Sequence, residues 1–484
     1  MSCEQNPFQL GCPPVVTPPP SATPSPCAAS EQLVDFDELY QAVRGDLARL
    51  DADDAIFSRY LTIANRFTAG SCATALDVDR QAITKLVNML SIDARMTAPV
   101  AIDAQELIYR IDLRDYSFDR SIAVNGQLFA DAWEAIAASN PYAVPFVGDD
   151  ADAARLASGT DVPVMFADSV LDTATVGNLY YALIDIDVRQ SVDDFISSQL
   201  GIDQEQDLLD EFEIRAVTTQ SGVSTTDLLV QRNDIQVRAG MLWQEFEVPR
   251  SASSGTIDSD LFEDPFALRS DPRALIYTLP NGLLAFAVAD EHGAFLEQDE
   301  NLLDVLHGNA RALNAVSCSS CHSAGLFPVN DEARPLLLQN AREVGLNRDE
   351  IEQLEAVYLD SGELARVTAD DSNAFYLRAL QLLGLPLTGP DPVGSVADRF
   401  EADVALADVD GDLGVTPEDL RLNLDLLDPT LERVRSGVLD RDAFTEVYVE
   451  SLCVLSVVLE NQPDAAICDA VDSAAALAPI PVAH

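Results

Sequence analysis

The chain has 484 residues, and its 29 Lys+Arg against 81 Asp+Glu give a formal charge of −52 at pH 7. That charge excludes an ordinary nucleic-acid phosphate binder, whose affinity comes from clustered cations that displace counterions. With 48% hydrophobic and 23% charged residues, wholesale disorder is excluded too, because enough apolar surface exists to offset chain entropy. Lys85 is the one lysine among the cations, so the surface reads as acidic solvation suited to salty water. At about 1 M ionic strength the Debye length is about 3 Å, and repulsion among carboxylates is screened.

In chain order, the N-terminus lacks the charged-then-apolar pattern of a complete signal peptide, and no apolar run reaches the roughly 18 to 20 residues of a membrane span. Pro13 to Pro26, PPVVTPPPSATPSP, reads as an extended polyproline-like spacer able to tether a folded body to an outer-membrane or cell surface. Glu31 to Gly70 predicts two helices, carried by Phe36, Leu39, Tyr40 and Val43 and then by Phe57, Tyr60, Leu61, Ile63, Ala64 and Phe67. Asp77 to Arg95 predicts a third helix, Glu106 to Phe118 a strand, and Gly126 to Ala138 and Val170 to Ile186 further helices. From Glu211 to Phe295 short β-rich runs take over. Ala274 to Thr278 and Leu283 to Val288 flank Leu279-Pro280-Asn281-Gly282, a hairpin signal, and Asp290 to Gly293 reads as a second turn. Beyond Asn301 the pattern is helical, interrupted at Pro386 to Pro392.

The expected fold is α+β, predominantly α. Its expected segments are a spacer over 1–30, a helical N-terminal region over 31–205, a β-hairpin-rich region over 206–300, a further helical region over 301–388 and a C-terminal helical unit over 389–484.

Cys318-Ser319-Ser320-Cys321-His322 is a C-x-x-C-H attachment signature, which makes 301–388 the expected haem-bearing region, in a pattern that is not that of a typical class I cytochrome c. On one helical turn, Cys321 and His322 lie three and four residues from Cys318, so all three side chains can address one rigid macrocycle. The two thiols would form thioethers to a single covalent haem c, and the imidazole would be the proximal iron ligand. A structural zinc site needs a second pair of ligands, and a redox dithiol a βαβ setting; neither is evident in the sequence. For the sixth iron position no methionine follows the motif, which leaves His307, His292, Met241, Met165 or no protein ligand. An open position binds small molecules, whereas a closed one passes electrons. Ala324 to Val329 is apolar enough to wall a haem crevice, and the Pro328 carbonyl is a candidate partner for the His322 imidazole.

Covalent haem attachment takes place outside the bacterial inner membrane, so the motif implies an exported, periplasmic or cell-surface protein. Six further cysteines agree with an oxidising compartment, and the shortest loops pair Cys3 with Cys12, Cys27 with Cys72 and Cys453 with Cys468. A second constellation, Asp408, Asp410, Asp412 and Asp419, follows the spacing of an EF-hand calcium loop, with Leu413 where glycine is wanted and Asp419 shorter than the usual Glu. The competing reading is a helix entry capped by Thr416 with Pro417 in the first turn.

YLTIANRFTAG, RIDLRDYSFD from Arg110, QSGVSTTDLLVQR from Gln220, YTLPNGLLAFAVADEHG from Tyr277 and NAVSCSSCHSAG from Asn314 together resemble large exported bacterial proteins described as c-type cytochrome domain-containing. The resemblance spans most of residues 50 to 390 and implies haem attachment through Cys318, Cys321 and His322. Members carry a histidine after the arginine matching Arg232. Asn233 stands there in this chain, so no ligand is carried over from that place. The resemblance also favours a variable helix connection over a calcium loop for the C-terminal Asp run. The expected function is electron transfer to an unidentified redox partner. The alternatives are a haem enzyme or small-ligand sensor with an open iron face, and a surface binding protein with a structural haem.

Overall fold

The computed structural model describes residues 33–218, 227–248, 261, 264–268, 272–299, 312–341, 343–459 and 468. Helices make up 49% and strands 16%, an α+β fold in which helix predominates. Contacts divide the chain into two units, each assembled from separated segments. One unit, called central for its place along the chain, holds Val87–Met96 and Thr175–Gly394, and the other, called outer because its segments flank that stretch in the sequence, holds 33–86, Thr97–Ala174 and the chain from Ser395.

The outer unit is built on a four-stranded sheet, order β2-β3-β1-β6, of β1 (Ser58–Thr62), β2 (Val100–Ala101), β3 (Ile108–Asp112) and β6 (Val164–Phe166). Between β3 and β6 lies a small hairpin of β4 (Ile122–Val124) and β5 (Gln127–Phe129). β1 pairs antiparallel with β3 and parallel with β6, and all five of its residues are buried. This corrects the helix expected through Phe57 to Phe67: Tyr60 and Leu61 belong to a strand covered on both faces, whose continuous buried run mimics a buried helix, and Ile63 caps the short helix that follows. Only Ala64–Thr68 of that stretch is helical. The strand expected over 106–118 shortens to β3 and then tightens into a 3₁₀ turn at Leu113–Tyr116, entered through the Asp112 carboxylate, which accepts from the Arg114 amide at 3.0 Å. Helix Phe36–Leu47 presents Phe36, Leu39, Tyr40 and Val43 to the core, where Phe36 stacks on Phe146 at 4.5 Å. Cys453 is disulfide-bonded to Cys468, the short loop that the spacing favours, and Cys72 is also disulfide-bonded.

The central unit carries a six-stranded antiparallel meander: β7 (Ile214–Thr218), β8 (Asp227–Asp234), β9 (Met241–Val248), β10 (Ala274–Thr278), β11 (Leu284–Ala289) and β12 (Phe295–Leu296). The β10–β11 hairpin closes at Asn281-Gly282 as the sequence predicts. Gly282 takes φ +91°, a region open to glycine, and the Asn281 side chain accepts from the Leu283 amide at 3.1 Å. The second turn is held by Asp290, which accepts from the amides of His292 and Ala294.

Strand register assigns the two faces of this sheet. On one, Val217, Leu229 and Phe246 pack with Leu337, Leu354, Val357 and Tyr358 of helices Arg334–Asn340 and Arg348–Val357. On the other, Ile214, Arg232, Trp243, Ile276 and Phe286 stand directly opposite one another in a row across β7 to β11.

Close packing in the outer unit yields a test. Helix Leu406–Leu413 lies so near helix Ala64–Thr68 that a Cβ on Gly411 would clash with the Asn65 carbonyl oxygen. Because that neighbour is backbone, Gly411→Ala is expected to lower the unfolding free energy by about 1–3 kcal/mol. The measurement is urea denaturation, with a lower midpoint and an unchanged slope.

Candidate functional site

Cys318 and Cys321 lie on helix Val316–Cys321, and His322 caps its end. The helix starts abruptly. The Asn314 side chain accepts from the Ala315 amide at 3.0 Å, and Ala315 holds φ +63° and ψ −63°, a strained γ-turn closed by the Val316 amide on the Asn314 carbonyl at 2.8 Å. The His322 amide then bonds to the Cys318 carbonyl at 2.9 Å, which completes the turn. The serines between the cysteines seat it. Ser319 Oγ donates to Asp391 at 3.2 Å, and Ser320 packs closely against Gly394, where a Cβ would displace the Ser320 hydroxyl. Both cysteines are half-buried thiols one turn apart.

The His322 ring lies between Phe286 of β11, at 5.7 Å between centroids, and Phe327, at 5.0 Å. Its Nδ1 is 3.2 Å from the Gly325 carbonyl oxygen. A carbonyl only accepts, so Nδ1 carries the proton and Nε2 keeps its lone pair. Burial pushes the imidazole pKa down to about 4, opposed by the Gly325 hydrogen bond, so the ring is neutral near pH 7 and suited to ligate a metal. The partner carbonyl expected from sequence was that of Pro328; the chain reverses one turn earlier, at Gly325, with φ +102°.

Sequence reasoning missed the residues behind this loop. The Leu326 amide donates to Ser372 Oγ at 2.9 Å, and Ser372 Oγ donates to the Thr368 carbonyl at 2.8 Å. Ser372 opens a π-turn, Ser372–Tyr376, that follows helix Ser361–Asp371. The preceding Asp371 accepts from Arg232 through both oxygens, at 3.2 and 3.0 Å, and from the Trp243 indole at 2.9 Å. Arg232, Trp243 and Phe286 all belong to the cross-strand row. At the other edge of β11 the Tyr180 hydroxyl accepts from the Phe286 amide at 3.1 Å.

The sixth-ligand candidates are scattered. Met241 opens β9 and is fully buried in the central sheet. His292 is exposed on the β11–β12 turn beside Glu291. Met165 lies in β6 of the outer unit, buried with its sulfur 3.9 Å from Asn140 Nδ2. His307 lies outside the described residues.

The carboxylates expected as a calcium loop are arranged differently. Asp408, Asp410 and Asp412 sit on helix Leu406–Leu413, because Leu406, Val409 and Leu413 give it an apolar stripe and Leu413 takes the place of the glycine a loop would turn on. Asp408 bonds to Arg66 at 3.0 Å, Asp412 to Asn65 at 2.9 Å and Arg441 at 2.7 Å, and Asp419 to the Thr416 hydroxyl at 2.6 Å. Thr416 caps helix Pro417–Asn423, with Pro417 in its first turn, as the competing reading expects. Among the described residues no three His, Cys, Asp or Glu side chains gather as a metal ion would require. Haem asks for something else, one imidazole and two thiols spaced along a ring edge.

Asp410 is 1% exposed and neither carboxylate oxygen has a side-chain partner; burial, then the nearby Asp408, pushes its pKa up to about 8 against the opposing effect of the Gly411 amide. The native state therefore holds a proton that the unfolded chain releases near pH 4, and this site's contribution to stability falls as pH rises from about 4 towards 8. Asp410→Asn is expected to be nearly neutral at pH 4 and to stabilise increasingly above it, by about 1–3 kcal/mol or more at pH 8. Thermal unfolding at the two pH values checks this.

Comparison of the chain with protein-family models, with curated proteins and with solved structures finds no match.

Proposed function

We propose that this chain is an exported monohaem c-type cytochrome-like protein that transfers single electrons at the periplasmic or outer surface. One observation carries the reading: His322, one residue past a turn bearing two thiols, is held as the Nδ1-protonated tautomer by a backbone carbonyl, with its Nε2 making no hydrogen bond to any described residue. Donor chemistry fits haem c, for which Cys318 and Cys321 would supply the thioethers and His322 Nε2 the proximal ligand. Bound there, haem supplies a one-electron centre.

The chain's own residues do the rest. Helix Val316–Cys321 sets the spacing of the three attachments, Phe286 and Phe327 flank the imidazole with apolar rings, and the Gly325 carbonyl keeps the ring in one orientation and raises its basicity as a ligand. The disulfides at Cys453–Cys468 and Cys72 support an oxidising compartment. Among the described residues no helix is long and apolar enough to cross a membrane. A tether to a surface is proposed on the proline-rich sequence Pro13 to Pro26 alone. The resemblance to c-type cytochrome domain-containing proteins points the same way.

The full chain, exported in a bacterium that attaches haem c, should keep a haem stain in denaturing gels, and Cys318→Ala with Cys321→Ala should remove it. A low-spin visible spectrum unchanged by carbon monoxide is the expected result. A spectrum that shifts with carbon monoxide would transfer the protein to the ligand-binding class, and an unstained wild-type chain would contradict haem attachment altogether.

A further inference from the structure

The peptide unit joining Gly325 to Leu326 is gripped at both ends. A trans peptide points its C=O and N–H in opposite directions. The Gly325 carbonyl accepts from His322 Nδ1 at 3.2 Å, while the Leu326 amide on the far side donates to Ser372 Oγ at 2.9 Å. Ser372 has a single hydroxyl proton, and it goes to the Thr368 carbonyl at 2.8 Å, which leaves an oxygen lone pair for Leu326. A continuous relay therefore runs from the Thr368 carbonyl through the Ser372 hydroxyl and the 325–326 peptide to the imidazole. Hydrogen bonds in such a chain polarise one another.

We infer that Ser372 is the positioning residue for His322: by holding the 325–326 peptide it fixes which imidazole nitrogen carries the proton and how basic the other is. The inference rests on the proposed haem reading for its effect on potential, and on the protein alone for its effect on the tautomer.

Three further features make the grip specific. Gly325 is required twice over, by φ +102° and because a Cβ there would come within 2.8 Å of Ser372 Cβ and Oγ. Ser372 begins a π-turn, a local widening of the helix that recurs at functional sites. Asp371, one residue earlier, is held by Arg232 and Trp243 of the row that ends at Phe286, whose ring stacks against His322. The same row of the sheet thus supports the imidazole directly on one side and, through Asp371 and Ser372, the peptide that orients it.

The test uses Ser372→Ala and Ser372→Cys in the full chain. The thiol of the Cys variant fills nearly the same space but is a weak hydrogen-bond acceptor, so a role confined to packing would leave it like wild type. In the haem-free chain, ¹⁵N spectra of the four histidines should show His322 mainly Nδ1-protonated, and both variants should lower the ratio of Nδ1–H to Nε2–H at least threefold. In the haem-loaded protein a less basic imidazole favours the ferrous state. The ferrous-to-ferric ratio at fixed potential should rise about threefold, equivalent to about 28 mV at 59 mV per decade for one electron. Covalent haem content should not change.

Folded variants with the wild-type tautomer ratio and potential would overturn the role of Ser372. If the Ala variant does not fold, the Cys variant decides alone. A wild-type chain that takes up no haem would count against the haem reading, and the tautomer ratio would still judge the inference.

Discussion

The structure around His322 depends on one row of cross-strand neighbours, Arg232, Trp243, Ile276 and Phe286, spaced about 4.8 Å apart across four paired strands. A row in a six-stranded sheet is stiff because each member is fixed by two ladders of backbone hydrogen bonds. Its two ends perform different tasks. Phe286 offers a flat apolar surface to the imidazole, and Arg232 with Trp243 binds a carboxylate, Asp371, that is 6% exposed. A buried carboxylate left without donors is expensive, so this pairing ties the helix Ser361–Asp371 firmly to the sheet. The loop after Cys321 can then be short and still present its histidine in a single orientation.

Charge is distributed in keeping with this arrangement. In a chain of net charge −52, the stretch from Ala312 to Asn330 carries no charged side chain, and neither does Ala274 to Ala289. An iron centre in such surroundings would be shielded from the acidic exterior, and its potential would be set by hydrogen bonding and water exclusion. The outer unit places charge in its interior instead, with Arg66, Arg441, Asp408 and Asp412 linked beneath helix Leu406–Leu413. Buried ion pairs of this kind specify an arrangement more than they add stability, since desolvation offsets much of the attraction. Asp410, without a side-chain partner, is the unfavourable member of the group.

Much of the fold class and the attachment motif is legible in the sequence, because both are local. C-x-x-C-H is a contiguous spacing; Asn281-Gly282 marks its hairpin through the backbone freedom of glycine; Phe36, Leu39, Tyr40 and Val43 mark a helix by their period. Tyr60 and Leu61 mislead because a strand buried on both faces has no alternation to betray it. The acidic run at Asp408 misleads because a helix stripe at Leu406, Val409 and Leu413 is superimposed on a loop-like ligand spacing. Ser372 and Asp371 lie some fifty residues beyond His322 in ordinary helical sequence, and nothing local marks them; only register and tertiary packing bring them behind the imidazole. Gly325, three residues after the histidine, was the one local sign of where the chain turns back.

The central claim is that Cys318, Cys321 and His322 form one covalent haem site. It is tested most directly by mass spectrometry of the proteolytic peptide containing all three, taken from the full exported chain. The account predicts a peptide heavier by one haem, with neither cysteine open to alkylation. A peptide whose two cysteines are alkylated after reduction and carry no haem would contradict it.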